Sequence, residues 1–410
     1  MPHHKNGLLV IPKGAHVVRY GNPVTPANSK SHHRTYHDLF PQPPSQTDVV
    51  QGSIGDCYLM SALHAILGCP TGPAAIEECM LDRGSGGLSG EVVVRFYDQG
   101  LAPQYISITK TVVTGLGARN TIWVKLFEKA YAAFFLNRQY AELESKAGHQ
   151  HGRASDVFRA ILGSDAETYG CVQNHADFMK LMGLTSGNRS PNLNKQVREN
   201  VFAGNGELLE AWKNWYTQQK AMAWTNTKGA GCVVVRFEDY ERFLQGAGAD
   251  MPVNVREHLA DWIKTEGILP GRRGTGIYSA HQREIYTKIK NALAAKKPVS
   301  VGSNSSVAKS AKIIGKGLAG EGKAQSGLVG QHQYSLLRAK DEEGLCWVEL
   351  HNPWNDWGVR YERGIHRGGH KDGLPYLRPV NDPAAGTFWL ELCDLTKHFK
   401  SVFVGGQELR

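Results

Sequence analysis

The sequence predicts an α+β protein, with helices dominating its first third and antiparallel strands its last. Three observations carry that expectation. In 57–67, CYLMSALHAIL, Leu59, Met60, Leu63, Ile66 and Leu67 recur with helical period. In 123–136, WVKLFEKAYAAFFL, Phe127, Ala130, Tyr131, Phe134 and Phe135 share one helical face. In the C-terminal third, LVGQHQYSLLRA (328–339) and LCWVEL (345–350) are apolar runs joined by KDEEG, a hairpin loop with Gly.

In chain order, residues 1–46 are rich in His, Pro, Ser and Asn and end in PQPPSQ, which reads as a polar arm or linker. The helix from Cys57 follows, with Asp56 at its N-cap position and Gly68 and Pro70 as stop signals. Residues 91–97 and 104–114 read as a strand pair across DQGLAP. The middle, from Ser164 to Lys288, mixes a helix at 206–224, a strand at 232–240 and a loop at 267–276. An amphipathic helix at 282–296, a buried strand at 298–303, a Gly/Lys/Ser-rich loop at 304–327 and an apolar block at 389–399 complete the chain. The resulting division is 1–46 arm, 47–165 helical part, 166–288 insertion of unknown role and 289–410 β-rich part.

Composition excludes several classes. A chain of 410 residues with 41% hydrophobic and 21% charged residues has the material for a large core. No run of 18 or more apolar residues exists, so no membrane span is expected. The net charge of +9 comes without a dense Lys/Arg block and interleaved aromatics, so no nucleic-acid partner is expected. The seven Cys are odd in number and lack CxxC spacing, which reads as free thiols in a reducing compartment.

One Cys stands apart. Cys57 falls at the first turn of its helix, where free N–H groups and partial positive charge favour thiolate, while the neighbouring Asp56 charge opposes it. A basic partner is therefore needed. Among 17 His, His332 lies in a strand-like run, and Asn352 in HNPW lies on the next strand, so a hairpin can bring them face to face. Cys57, His332 and Asn352 would be nucleophile, general base and orienting group. Gln51 would add an oxyanion donor beside the Cys57 N–H, and Trp354 would cover the His–Asn hydrogen bond. His64, Cys69, Cys79, Cys171, Cys232, Cys346 and Cys393 read as core packing, and His351 as structural or exposed on the opposite face of its strand. GLAGEGKA (317–324) imitates a phosphate loop but offers Ala324 where Ser or Thr is needed. The His pairs at 3–4 and 32–33 and HRGGH (366–370) lack partners at metal-ligand spacing.

Five segments resemble the calpain family of cysteine proteases. QGSIGDCYLMSAL is similar to Q-G-x-x-G-D-C-W-L-x-A, and WVKLFEKAYA to W-x-x-L-x-E-K-A-Y-A. LVGQHQYSLL resembles G-H-A-Y-S-V, LHNPWNDW resembles R-N-P-W-G-x-x-x-W, and GTFWLELCDLTKHF resembles G-E-F-W-M-x-x-x-D-F-x-x-x-F. The resemblance implies a papain-like fold of two lobes with a cleft between them, and an endopeptidase that acts on protein substrates through an acyl-enzyme. It implies Cys57 as nucleophile, His332 as base, Asn352 as orienter and Gln51 as oxyanion donor.

Four departures qualify it. Tyr58 replaces a Trp. Gln331 and Gln333 replace small residues beside the His, which suggests a narrower or differently specific cleft. The middle is longer than the family's core by on the order of a hundred residues, an addition that surface loops tolerate. Asp48, and Asp356 less clearly, match acidic positions that bind calcium in family members, but Ala385, Thr387 and Thr121 stand where acids are expected, so no cofactor and calcium-independent activity are expected. A non-classical member, cytoplasmic or delivered into another cell as an effector, is the expectation by analogy. Two other readings keep the residues but change the outcome: a papain-like deamidase or transglutaminase acting on Gln, and a catalytically silent scaffold. The arm 1–46 is also expected to be able to occupy the cleft.

Overall fold

The computed structural model describes residues 6–21, 32–34, 38–52, 54–84, 90–113, 118–119, 121–136, 152–171, 205–221, 251–258, 274, 276, 278, 280–304, 313–316, 322–324, 326–364 and 376–410. The chain divides into two compact units, Met1–Val172 with Ile285–Arg410, and Gln173–Glu284. The second falls inside the stretch 166–288. Of its sequence, the strand expected at 232–240 and most of the 267–276 loop lie outside the described residues. Its described helix, Gly206–Ala221, buries Trp212 and Trp215.

The first unit is mixed α and β. Strands β1 (Val17–Gly21), β2 (His32–Arg34), β3 (Met80–Asp82), β4 (Glu91–Tyr97), β5 (Pro103–Thr109) and β6 (Thr111–Val113) belong to its N-terminal part. A four-stranded sheet has the order β1-β5-β4-β3, and β2 pairs with β6. Helices α1 (Cys57–Leu67), α2 (Gly72–Glu77), α3 (Ile122–Leu136) and α4 (Ala154–Leu162) accompany it. Within the stretch 1–46, β1 runs parallel to β5, with Val18 opposite Ile106, and Leu39 and Phe40 are fully buried in the main core.

Strands β7 (Glu167–Gly170), β8 (Val299–Ser303), β9 (Ile313–Lys316), β10 (Gly322–Ala324), β11 (Gln333–Glu342), β12 (Leu345–His351), β13 (Gly358–Gly364), β14 (Tyr376–Asp382), β15 (Thr387–Glu391) and β16 (Phe399–Val404) follow, with α5 (Leu392–His398) between the last two. The large sheet has the order β15-β12-β11-β8-β16-β7 and is antiparallel throughout. The Gly-Lys of the phosphate-loop imitation lies on β10, paired with β9.

Helix α1 differs from the amphipathic expectation, because all eleven of its residues are buried. Its apolar side joins Val92, Val94 and Phe96 of β4, Phe127 and Tyr131 of α3, and Val157 and Ile161 of α4 in one core cluster. Its polar side faces the large sheet: Ser335 Oγ donates to the Ser61 carbonyl at 2.9 Å, and Ser61 Oγ lies 3.2 Å from Ser300 Oγ. These three buried serines are tolerated because they find partners in one another and in the backbone.

Candidate active site

Cys57 is the first residue of α1 and is buried. The first N–H groups of any helix lack intrahelical acceptors, so the Cys57 N–H stands at the positive end of α1. Asp56 occupies the N-cap position but makes no side-chain cap bond. Burial, and then the nearby Glu128 carboxylate, raise the Asp56 carboxyl well above its ordinary range. The protonated acid is therefore favoured, and the opposition to a thiolate expected from an Asp56 charge is relieved. Glu128 itself accepts the Ala118 N–H at 2.9 Å. Nothing in the spacing of Asp56 and Glu128 announces this pairing; the fold of α3 beside the start of α1 creates it.

His332 does not lie in a strand. It immediately precedes β11, after a turn in which Gln331 has φ +56°. Ser303 pins this turn: its Oγ accepts the His332 N–H at 2.9 Å and donates toward the Val329 carbonyl at 2.6 Å, and its own N–H donates to the His332 carbonyl at 2.8 Å. Ser303 went unnoticed in the sequence because its partners come from a loop about thirty positions on.

Asn352 likewise follows β12 rather than standing in it. Its amide orientation is fixed, because Nδ2 donates to the Trp357 carbonyl at 2.9 Å. Oδ1 thus faces His332 Nε2 at 2.9 Å and also accepts the Trp354 N–H at 3.2 Å. A carbonyl oxygen can only accept, so Nε2 carries the ring proton and the lone pair lies on Nδ1. The Trp354 ring packs on His332 with centroids 4.5 Å apart.

Gln51 is fully buried and ties the two regions together. Its backbone N–H donates to the Pro353 carbonyl at 2.8 Å, and its side-chain Nε2 donates to the Ile54 carbonyl at 2.7 Å. One Nε2 hydrogen is thus engaged and the other is not directed by that bond.

The contacts of α1 orient it on the sheet. At its start, Gly152 lies against the Tyr58 ring, where an added Cβ would stand 2.2 Å from the ring carbon. Gln333 holds that same segment: Oε1 accepts the Ala154 N–H at 3.1 Å and Nε2 donates to the Gly152 carbonyl at 3.0 Å. One turn on, Ser61 meets Ser335, and at the third turn the His64 ring stacks on His351. The first turn of α1 therefore lies at the His332 end of β11. Gln333 clamps the start of α4. Gln331 is exposed. His351 is buried rather than exposed, and His64 is a polar contact to the sheet as well as core packing.

Among the described residues, no group of three or more His, Cys, Asp or Glu stands together to hold a metal ion. Asp48 accepts the Ser45 N–H at 2.9 Å and the Trp123 indole N–H at 3.1 Å, and the Thr387 hydroxyl is bonded to His351. The six described cysteines are free, and Cys232 lies outside the described residues. Burial pushes the Cys69 and Cys171 thiols up to about 12.

Residues 27–190 match the family described as calpain family cysteine protease. The chain is 30% identical over 88 residues to the calpain-type cysteine protease ADL1 of Oryza sativa subsp. japonica, covering 20% of this chain and 4% of that protein. It is likewise 30% identical over 88 residues to the calpain-type cysteine protease DEK1 of Arabidopsis thaliana, with the same coverage. The Zea mays DEK1 is 28% identical over the same length. The aligned stretch thus spans about 4% of the length of these relatives. The matched family region carries Gln51, Asp56, Cys57 and Trp123, and it ends before His332 and Asn352. Through residues 27–190 this chain carries the resemblance to the calpain family cysteine proteases.

Proposed function

We propose that the chain is a calpain-like cysteine endopeptidase that hydrolyses peptide bonds of protein substrates through Cys57, His332 and Asn352. The observation that carries the reading is the fixed tautomer of His332: Asn352 holds Nε2–H at 2.9 Å and leaves Nδ1 basic, at the end of the sheet where α1 begins. The reading assigns a papain-like arrangement, with the substrate cleft between the start of α1 and the His332–Asn352 end of the sheet.

In the proposed reaction, His332 Nδ1 takes the Cys57 thiol proton and Sγ attacks the peptide carbonyl carbon. The carbonyl π pair moves onto oxygen, which faces the Cys57 N–H and the second Nε2 hydrogen of Gln51. Collapse of this intermediate expels the amine, which receives the proton from His332. Water, giving a proton to Nδ1, then attacks the thioester, and the proton returns to sulfur as the acid leaves. Asn352 keeps the ring oriented throughout, and Trp354 shields that hydrogen bond from water.

Comparison of new protein termini between wild type and Cys57→Ala tests this. The expected outcome is a set of cleavages that Cys57→Ala loses by more than about a thousandfold. A mass gain on Gln without a cut would instead identify a deamidase, and equal labelling of both proteins by a thiol-reactive peptide probe would remove Cys57 as nucleophile.

The proposal includes no calcium, because Ala385 offers no side-chain oxygen and the Thr387 hydroxyl is bonded to His351. A calcium site needs six to eight oxygens. Turnover is expected to survive a strong chelator, and its abolition with recovery on added calcium would overturn that part.

A further inference from the structure

His64, in α1, and His351, the last residue of β12, lie face to face. Their ring centroids are 3.7 Å apart and their planes 5° from parallel. Only 4% and 5% of the two residues is exposed. Gln46 Nε2 donates to the His64 carbonyl at 3.1 Å, which fixes its amide, and the same nitrogen lies 3.3 Å from His64 Nδ1. His64 Nδ1 is therefore the acceptor and the proton sits on Nε2. His351 Nδ1 is 2.9 Å from Thr387 Oγ1, while among the described residues its buried Nε2 has no hydrogen-bond partner. In the tautomer whose Nδ1–H donates to Thr387 Oγ1, a proton added at Nε2 would create a buried N–H with no acceptor among the described residues.

The stack joins two parts of the site. His64 belongs to the helix that begins at Cys57. His351 precedes Asn352, whose N–H donates to the Gly386 carbonyl at 2.8 Å, one residue before the Thr387 that holds His351. Displacement of His351 thus moves the strand pair from which Asn352 reaches His332. We propose that the His64–His351 stack is a positioning pair for the peptidase, coupling the helix of Cys57 to the seat of Asn352 only while both rings are neutral. The inference rests on the peptidase reading for its activity arm.

The surroundings agree. Burial, and then His351 across the stack, lower His64 well below the usual imidazole range, and burial lowers His351 to about 4. Facing groups are uncharged Gln46 from the 3-10 turn Gln46–Asp48 and Thr387 from β15. In that turn Asp48 is held by Ser45 and Trp123, and on β12 Glu349 is held by Arg338 at 2.5 and 2.6 Å. Two imidazolium rings stacked at this distance would repel in a poorly solvated site.

The test follows kcat and KM against pH for wild type and His351→Phe, with the ring signals of His64 and His351 and the side-chain amide signal of Asn352 recorded by NMR. Phe keeps a flat ring on His64 and takes no proton. In wild type, the Asn352 signal is expected to shift together with the stack's ring signals, and kcat to fall with them while KM changes less than about twofold. His351→Phe should lose that shift and retain about tenfold more of its kcat at the acid end. An Asn352 signal indifferent to protonation of the stack, or an unchanged acid limb in His351→Phe, overturns the inference. If His351→Phe does not fold, His351→Gln, which keeps a hydrogen bond to Thr387, must give the same loss of the shift. The amide signal needs no turnover. An inactive wild type that still shows the coupled shift overturns the peptidase reading and leaves the coupling, whereas an active one without the shift overturns the coupling alone.

Discussion

Gln331 holds a left-handed backbone, φ +56°, immediately before His332. Such a conformation costs an L residue roughly 1–2 kcal/mol, and Gly avoids most of it while losing about 0.5–1 kcal/mol of chain entropy. Gln331→Gly is therefore expected to stabilise the fold by up to about 1 kcal/mol in urea unfolding, and Gln331→Val, β-branched, to destabilise it by at least as much. Asn355, φ +60°, stands where the resembled family motif has Gly, and Asn is the side chain that tolerates this region best. At this scale the residue types were legible. Cys57, His332 and Asn352 stood out by their motifs, and the structure brings His332 and Asn352 to 2.9 Å. Their protonation was not legible, since the tautomer of His332 depends on the Trp357 carbonyl that fixes the Asn352 amide.

Helix α1 shows what periodicity can and cannot tell. Its span, its stop at Gly68 and the five apolar positions were readable, because helical period is a local property. The polar side was not. His64 read as core packing and Ser61 drew no notice, yet Ser61 is satisfied by Ser300 and Ser335, which lie 239 and 274 positions away. Distant partners leave no trace in local spacing. The same holds for β1, whose parallel pairing with β5 is a tertiary choice. The junction of α1 with α4 gives a test at this scale. Gly152 touches the Tyr58 ring so closely that a Cβ would stand 2.2 Å from it, with further ring atoms at 2.4 and 2.6 Å. A rigid, buried ring between Tyr131 and Phe135 cannot yield that much. Gly152→Ala is expected to destabilise by about 1–3 kcal/mol, the range for overpacked cores, read as a lower unfolding midpoint. Equal stability would mean that Tyr58 does not press on this segment.

For the molecule as a whole, the buried titratable groups set opposing pH dependences. His351 takes a proton near 6.5 when unfolded but only at about 4 when folded. Between those values the unfolded chain binds more protons, so stability is fully present above 6.5 and declines as pH falls toward 4. The shift corresponds to roughly 3 kcal/mol, and His64, lowered in the same direction, adds to it. Asp56 acts with the opposite sign. Its folded carboxyl is raised by burial and by Glu128, so the folded state holds a proton that the unfolded chain releases above the ordinary carboxylate range, and stability is lost as pH rises from there. The wild-type curve mixes both effects, and single variants separate them. Urea midpoints of His351→Phe should converge on or exceed those of wild type as pH falls from 6.5 to 4, while Asp56→Asn should gain on wild type as pH rises from 4 toward neutrality. Parallel curves for wild type and His351→Phe would mean that the ring is solvated enough to titrate as it does in the unfolded chain. A stack 3.7 Å apart with 4% and 5% exposure leaves little room for the water that this would require.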